Sequence, residues 1–237
     1  MNNNRTALII GGVALAIIII VGIVLAVVLP EKDKVAVEDG YETSACYLSS
    51  RQTDRGFSDT MWIKLNADGN SVTGEIHVLP AEKDSKVGTF SGTLAAPFVD
   101  GFWNTMAEGM TATEELRLRI ENSSARIGFG EMIDRGDGTY VYRDKNALTY
   151  SDPVPQVSCG DLDEKIAVEN YVRNNIGSIA PNTASLGGSW YVISVNVNPS
   201  KNTGHVVYED GHTQEQADFV YAYSSGNVSA VEFSGVK

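Results

Sequence analysis

Two glutamates have the residue type and the surroundings that best suit acid–base chemistry in this sequence. Glu108 lies in an Ala-Glu-Gly-Met segment and Glu131 in a Gly-Phe-Gly-Glu-Met segment. Because apolar residues flank both carboxylates, burial would favour their protonated forms. Two such carboxyl groups facing one cavity could transfer protons or bind a polar ligand. Alternatively, each glutamate forms an ion pair with an arginine, such as Arg126 or Arg135, at the rim of the fold.

Trp103 is the third candidate, because an aromatic ring can form the floor of a ligand site. It follows Phe102 in a predicted strand, where packing in a core is the commoner use of tryptophan. The sequence contains no Gly-x-Ser-x-Gly elbow, phosphate-binding loop or dinucleotide fingerprint. We therefore predict no catalytic residue and no cofactor, and take Glu108, Glu131 and Trp103 as ligand-binding candidates.

One short segment contains four side chains that commonly bind metals: His205, Glu209, Asp210 and His212. His205 and Glu209 would face the same side of a strand, but His212 follows a predicted turn. A zinc site needs three or four converging ligands, and no cysteine is nearby. The segment therefore indicates a surface hairpin, and no metal is predicted.

An apolar run that begins at Ala7 and ends at Leu29 predicts a transmembrane helix. Its 23 residues comprise sixteen Leu, Ile or Val, four Ala and three Gly. At about 1.5 Å per residue they would span about 35 Å, enough for a hydrocarbon core of about 30 Å. The alternative is a cleaved signal peptide, whose apolar region would have about 7–15 residues. We therefore expect residues 1–29 to be a cytoplasmic tip and signal anchor, and residues 30–45 a charged stalk.

The two cysteines, Cys46 and Cys159, bracket one coherent segment and predict a disulfide between its ends. Disulfides persist outside the cytoplasm, so we expect the chain after the anchor to be extracytoplasmic and the amino terminus cytoplasmic. The alternative is two free thiols, with Cys46 carrying a lipid. A lipid-bearing cysteine would follow the apolar run directly, whereas sixteen residues separate Leu29 from Cys46.

The chain is acidic, with 30 Asp and Glu against 18 Lys and Arg and a formal net charge of −12 at pH 7. It lacks a basic stripe that could neutralise phosphates, so we expect no nucleic-acid partner. The expected partner is the membrane, contacted through the apolar run. Envelope proteins and a small ligand are further candidate partners.

Residues 46–160 predict a small antiparallel β-barrel or sandwich. Alternating apolar and polar residues flank an Asp-Gly turn within residues 61–78, which indicates a hairpin. Further strands are indicated at 86–94, 101–107, 113–120, 125–132 and 139–142, although 113–120 also contains strong helix formers. Strand glycines such as Gly74 and Gly88 indicate bulges or close backbone approaches. We expect a closed, calycin-like meander that holds one small ligand or is filled by side chains.

Residues 161–237 predict one helix followed by a four-stranded antiparallel sheet. Asp161 and Glu164 have the spacing of a capping box, and Gly177 would end the helix. An apolar stripe would bury one helix face, with Lys165 and Glu169 paired at i, i+4: Leu162, Ile166, Val168, Val172 and Ile176. The strands are indicated at 190–197, 205–209, 216–223 and 228–233. This is a small α+β domain, arranged like a cystatin or a nuclear-transport-factor-2-like (NTF2-like) cone.

Several short sequence motifs follow one another in the first domain. They are Cys46-Tyr47, a Val-Gly-Thr-Phe-Ser-Gly-Thr-Leu segment, Trp103 and the two glutamate segments described above. In this order they resemble bacterial envelope proteins, often lipoproteins, that carry a cysteine-bracketed β domain. The resemblance covers residues 46–160, and residues 163–237 resemble an accessory domain of similar proteins. It implies bacterial origin and extracytoplasmic placement but brings no established activity, and the position of Cys46 departs from lipid anchoring.

The sequence as a whole predicts a single-pass protein of the cell membrane that displays two acidic domains outside. Its predicted function is that of a non-enzymatic binding or interaction module of the bacterial cell envelope. One alternative is a hydrolase that uses Glu108 and Glu131 in the mouth of the barrel, and another is a structural spacer. The distinguishing observation is whether the barrel has an open polar cavity or only a packed core.

Overall fold

The computed structural model describes residues 43–235. Within this range, no helix has the length and hydropathy of a membrane span. The predicted anchor at residues 7–29 and residues 30–42 of the predicted stalk lie outside the described residues and remain predictions. Residues 43–45, the end of the stalk predicted at 30–45, instead begin the first strand of the fold.

Eight antiparallel strands close into a barrel. The first seven are consecutive hairpins: β1 (Thr43–Gln52), β2 (Ser58–Asp68), β3 (Ser71–Leu79), β4 (Lys86–Ala95), β5 (Phe98–Ala107), β6 (Met110–Glu121) and β7 (Ser124–Phe129). Three short strands follow outside the closed ring: β8 (Met132–Asp134), β9 (Thr139–Tyr142) and β10 (Thr149–Tyr150). β11 (Val154–Val157) then pairs with β1 on one side and β7 on the other. The predicted barrel is confirmed, and the sandwich alternative is wrong.

The strands follow from the alternation of apolar and polar residues. In β2, Ile63 and Leu65 point into the barrel core, whereas Trp62 points outward. Gly88 allows β4 to lie close to β5, because a Cβ atom there would lie 1.9 Å from the carbonyl oxygen of Asn104. The ladders on both sides of β4 run without a register shift, so this glycine marks a close approach and not a bulge.

The two ends of the barrel differ in their connections. At one end, tight turns join β2 to β3, β4 to β5 and β6 to β7. At the other end, residues 53–57, 80–85 and 130–153 form longer connections, beside the tight β5–β6 turn at residues 108–109. We call this second end the barrel mouth. The predicted strand at 125–132 is interrupted here, because Gly130 and Glu131 separate β7 from β8.

The helix α1 (Cys159–Ile179) begins and ends two residues outside its predicted limits. Ser158 is its N-cap, and the Ser158 hydroxyl accepts a hydrogen bond from the backbone N–H of Asp161 at 3.2 Å. Asp161 therefore lies in the first turn and is not the cap. The helix continues through Gly177 because Pro181, and not this glycine, excludes further helix at Ala180.

Four antiparallel strands form the second sheet, in the order in which they follow along the chain. They are β12 (Tyr191–Asn198), β13 (Thr203–Glu209), β14 (Gln214–Ser224) and β15 (Asn227–Ser234). Val168, Val172 and Ile176 of α1 share one core with Tyr208 and Phe219 of this sheet. The predicted combination of one helix with a four-stranded sheet is confirmed.

The opposite side of α1 packs against the barrel. Leu162 shares a small core with Cys46 and Trp62 on the outer side of the barrel. Ser58 of β2 donates its backbone N–H to the hydroxyl of Ser194 in β12 at 3.0 Å. The barrel, α1 and the second sheet thus belong to one compact unit within residues 40–237.

Candidate ligand-binding site

The barrel mouth contains a cavity of about 510 Å³. Its walls come from the end of β1, the beginning of β2, the end of β3, and residues 80–83 and 151–154. Deeper in the barrel, buried side chains such as Tyr47, Ile63 and Phe90 fill the interior. The barrel therefore combines a packed core with an open polar end. A volume of this size falls within the range of about 300–1,000 Å³ that is typical of small-molecule sites.

The cavity wall is partly apolar and carries charges of both signs, with Asp59, Glu82 and Asp152 as its acidic residues. Met61, Val78 and Val154 supply apolar surface, whereas Arg51 and Lys83 supply positive charge. Neither cation has a carboxylate partner among residues 43–235, in contrast to most basic residues of the barrel. The wall can therefore contact an apolar group, and Arg51 and Lys83 can each bind a negative one.

Arg51 belongs to the interior side of its strand. Side chains two residues apart in a strand point to the same face, so Arg51 and Ser49 lie on the side of β1 occupied by buried Tyr47. Arg51 itself is exposed, because it lies beyond the last layer of core residues. Its guanidinium can donate two parallel hydrogen bonds to a carboxylate or phosphate.

Two contacts hold the connections at the rim. The carboxylate of Asp59 accepts a hydrogen bond from the backbone N–H of Ala81 at 2.8 Å, which attaches the β3–β4 connection to β2. The Arg55 guanidinium lies 2.6 Å from the Glu82 carboxylate and links the β1–β2 and β3–β4 connections. Both carboxylates are thus engaged by the protein, whereas Asp152, the third carboxylate of the wall, has no ion-pair partner among residues 43–235.

Trp103 lies in the barrel core and does not line the mouth cavity. Only 4% of its surface is exposed. The Lys86 ammonium lies 5.0 Å from the centre of its ring and 2.5 Å from the Glu114 carboxylate. The Trp103 ring therefore packs beneath an ion pair in the manner of a core residue, the commoner use that the sequence indicated.

Glu108 lies in the turn between β5 and β6 and is exposed. It has a positive φ of 52°, and the following Gly109 has a φ of 74°. Two positive φ angles at the centre of a two-residue hairpin are the pattern of a type I′ turn. Turn geometry therefore accounts for the Glu-Gly pair, and the burial that we expected for this carboxylate is not found.

Glu131 is also exposed, with 65% of its side chain accessible. It lies 2.9 Å from the Arg143 guanidinium, so it forms an ion pair with an arginine as the alternative interpretation predicted. The partner is neither of the expected arginines, because Arg126 contacts Glu121 and Arg135 contacts Asp137. Neither Glu131 nor Glu108 lines the mouth cavity, so the structure does not bring the three predicted site residues together there.

The histidine segment of the second sheet lies in a hairpin, as predicted. His205 Nδ1 is 2.8 Å from the Asp218 carboxylate on the neighbouring strand. The Asp210 carboxylate accepts hydrogen bonds from the backbone N–H groups of Thr213 and His212 at 2.8 and 2.9 Å. Hydrogen bonds from Thr213, Ser185 and His212 lower the pKa of Asp210 to about 2. Within residues 43–235, no three His, Cys, Asp or Glu side chains converge on one point.

The disulfide between Cys46 and Cys159 is confirmed. It joins β1 of the barrel to the first residue of α1. The cysteines therefore connect the barrel to the helix that supports the second sheet, in addition to bracketing the β domain.

The residues that line the mouth were not among the sequence candidates. Arg51 could have been found if β1 had been assigned, because the Tyr47, Ser49, Arg51 alternation places it on the inner face. Lys83 lies in an irregular connection whose position depends on Asp59, and no local pattern indicates that contact.

Comparisons of the chain with protein-family models, with curated proteins and with solved structures give no match.

Proposed function

We propose that this protein is a membrane-anchored, extracytoplasmic binding module whose barrel mouth takes a small amphipathic ligand with an anionic group. The observation that supports this function is the cavity of about 510 Å³ with two unpaired cations in its wall. Eight-stranded barrels of this size can hold one small ligand above a filled interior.

Two basic side chains of the wall can receive the acidic group of an amphipathic ligand. Arg51 and Lys83 have no carboxylate partner among residues 43–235, whereas the Glu82 carboxylate is paired with Arg55. The Asp59 carboxylate accepts a backbone N–H, and the Asp152 carboxylate has no ion-pair partner among the same residues. A ligand that places an apolar group on Met61 and an acidic group near Arg51 would use both kinds of surface. Such a ligand would fit this site despite the negative charge of the whole chain.

The apolar run and the disulfide support this location. A helix formed by residues 7–29 would anchor the chain, with the amino terminus in the cytoplasm. The Cys46–Cys159 disulfide is of the kind that persists outside the cytoplasm, which supports display on the outer side. The barrel would then be calycin-like and the carboxyl-terminal sheet cystatin-like or NTF2-like, in a bacterial cell envelope.

A fluorescent probe tests the binding function. We expect the full-length protein in detergent to bind anilinonaphthalene sulfonate, an amphipathic anion, with saturable enhancement of its fluorescence. Arg51→Ala should weaken this binding by at least about tenfold, because a hydrogen bond to a charged group contributes roughly 1.5–3 kcal/mol. Phenylnaphthylamine, a neutral probe of similar shape, should bind the variant and the parent protein equally.

Arg135→Ala is the matched control, since Arg135 lies in an exposed turn and pairs with Asp137. This variant should bind both probes as the parent protein does. Equal weakening by the two arginine substitutions would mean that charge, and not the cavity, governs binding. Absence of saturable binding in the parent protein would contradict the proposal and favour a structural spacer.

A further inference from the structure

Lys165 is a buried cationic side chain that no part of the ligand site uses. It lies on α1 with only 1% of its side chain exposed. Lysine is rarely buried to this extent unless its ammonium group is paired. The Lys165 amine lies where α1, the barrel and the second sheet meet.

Three groups surround the Lys165 amine. The side-chain oxygen of Asn196, on β12, lies 2.7 Å from Lys165 Nζ. The Glu169 carboxylate, one turn along α1, accepts a second hydrogen bond from Nζ. The backbone carbonyl of Val197 lies 3.5 Å away. We call Lys165, Glu169 and Asn196 the junction cluster.

The junction cluster places a primary amine, a carboxamide and a carboxyl group in contact, with Lys165 buried and Glu169 and Asn196 partly buried. The Asn196 oxygen is bonded to the carbon that an amine attacks in amide exchange, so the amine lies beside its electrophile. Holding two reacting groups together in this way can replace a high concentration of one of them.

We propose that Lys165 and Asn196 form an intramolecular amide bond, with Glu169 carrying the proton. Nζ of Lys165, once neutral, attacks Cγ of Asn196, and a C–N bond forms between them. The bond between Cγ and Nδ2 breaks, and Nδ2 leaves as ammonia. Glu169 accepts a proton from Nζ and passes it to Nδ2. One amine and one carboxamide thus give one secondary amide and one ammonia, with no change of oxidation state.

The surroundings of Glu169 suit the role of proton carrier. Burial raises the pKa of Glu169, against the opposing effect of the Lys165 charge. A carboxyl group with a raised pKa can hold a proton near neutral pH and return it to a leaving amine. The backbone N–H of Val197 also donates a hydrogen bond to Glu169 at 3.1 Å, which fixes the orientation of the carboxyl group.

The barrel contributes a hydrogen-bond donor to the junction cluster. The Ser50 hydroxyl of β1 donates a hydrogen bond to the Asn196 side-chain oxygen at 2.9 Å. This oxygen acquires negative charge when the amine attacks, and a donor already in place stabilises that charge. The reaction would therefore need α1, β12 and the barrel to be docked, which ties bond formation to completed folding.

The product would complete a covalent connection through the whole described unit. The disulfide links the barrel to the beginning of α1, and the amide would link the middle of α1 to β12. The barrel, the helix and the second sheet would then be held together by two bonds of different chemistry. Only one of these bonds could be broken by reduction.

Mass spectrometry tests the proposal directly. The full-length protein, extracted in detergent and then reduced and alkylated, should be lighter than its sequence mass by one ammonia. After proteolysis, a branched peptide should contain Lys165 and Asn196 joined through their side chains. A protein at its full sequence mass would overturn the proposal, as would loss of ammonia confined to one unbranched peptide.

Single variants test the roles of the three residues. Asn196→Ala should have its full sequence mass, whereas Asn198→Ala, on the same strand and exposed, should still lose ammonia. Glu169→Gln should slow the loss of ammonia by roughly 10²-fold or more, as expected when a proton carrier is removed. Loss of ammonia from Asn196→Ala would overturn the proposed bond. An unchanged rate of ammonia loss in Glu169→Gln would overturn the role of Glu169. The search for the branched peptide uses the parent protein, so that test does not depend on the folding of any variant.

Discussion

The barrel mouth and the junction cluster both contain a lysine, but the two lysines differ in their access to water. Lys83 at the mouth is exposed and has no carboxylate partner among the described residues. Lys165 at the junction is 1% exposed and contacts Glu169 and Asn196. Residue type alone therefore does not assign a role to a charged side chain here. Lys83 is solvated and can exchange water for a ligand. Lys165 is shielded from water and contacts only protein groups.

The same difference determines what each lysine contributes to stability. An exposed charge is well solvated in the folded and the unfolded chain, so its removal changes little. A buried pair has lost its hydration, and removal of one partner leaves the other buried without compensation.

Replacing the buried lysine should produce the largest effect. Lys165→Met should lower the free energy of unfolding by about 3–5 kcal/mol, because it removes the proposed amide bond and leaves Glu169 without the Lys165 nitrogen as a hydrogen-bond donor. Lys83→Met at the mouth is the matched control and should change it by less than about 0.5 kcal/mol. Urea unfolding followed by tryptophan fluorescence measures both.

Asn196→Ala separates two sources of the Lys165 effect. It removes the partner of the proposed amide bond but keeps the contact between Lys165 and Glu169. If Lys165→Met were no more destabilising than Lys83→Met, the contrast between the two regions would be wrong. If Asn196→Ala and Lys165→Met lowered the free energy of unfolding equally, the contact between Lys165 and Glu169 would contribute little to stability beyond the link to Asn196.

The fold was predictable where its pattern is local. The hairpin within residues 61–78 and the apolar stripe of α1 repeat at strand and helix periods, so neighbouring residues suffice to assign them. The closing strand β11 has four residues and contains Pro155, which is unfavourable in most strands. Its pairing with β1 and β7 depends on residues far away along the chain, and no local period encodes that contact.

The candidate site was less predictable for a related reason. Apolar neighbours made Glu108 look buried, whereas two positive φ angles place it in an exposed turn. The i, i+4 spacing of Lys165 and Glu169 indicates a pair on the helix, but their burial depends on the barrel covering a second face of α1. Arg51 follows from the alternation of β1 only once that strand is known. In each case the chemistry of the side chain depends on a tertiary contact.

Removing the disulfide should produce the next largest effect, because it links the barrel to the helix that carries the junction cluster. Replacing Cys46 and Cys159 together by alanine should lower the free energy of unfolding by about 2–5 kcal/mol. The parent protein unfolded in the presence of a thiol reductant should match this variant. If the reduced and oxidised proteins were equally stable, the bond would not constrain the unfolded chain as expected.

Lowering the pH should have a smaller effect on the free energy of unfolding. It distinguishes a carboxylate stabilised by hydrogen bonds, Asp210, from one that is desolvated, Glu169. Burial raises the pKa of Glu169, whereas backbone N–H groups of Thr213, Ser185 and His212 lower that of Asp210 to about 2. An unfolded aspartate has a pKa of about 3.9. Because the folded value is the lower one, Asp210 contributes stability that is complete above about pH 4 and is lost as the pH falls towards 2.

Asp210→Asn should therefore flatten the decrease in unfolding free energy between about pH 4 and pH 2, because one fewer group takes up a proton on unfolding. Urea unfolding at several pH values measures this slope. Asp84→Asn is the matched control, since Asp84 lies exposed in the β3–β4 connection, and it should leave the slope unchanged. An equal change in both variants would show that overall charge governs acid stability. A change in the Asp210 variant alone would mean that a carboxylate surrounded by N–H donors favours its charged form. Glu169, which is desolvated beside a single lysine, would then remain the one carboxylate of this comparison that is suited to hold a proton.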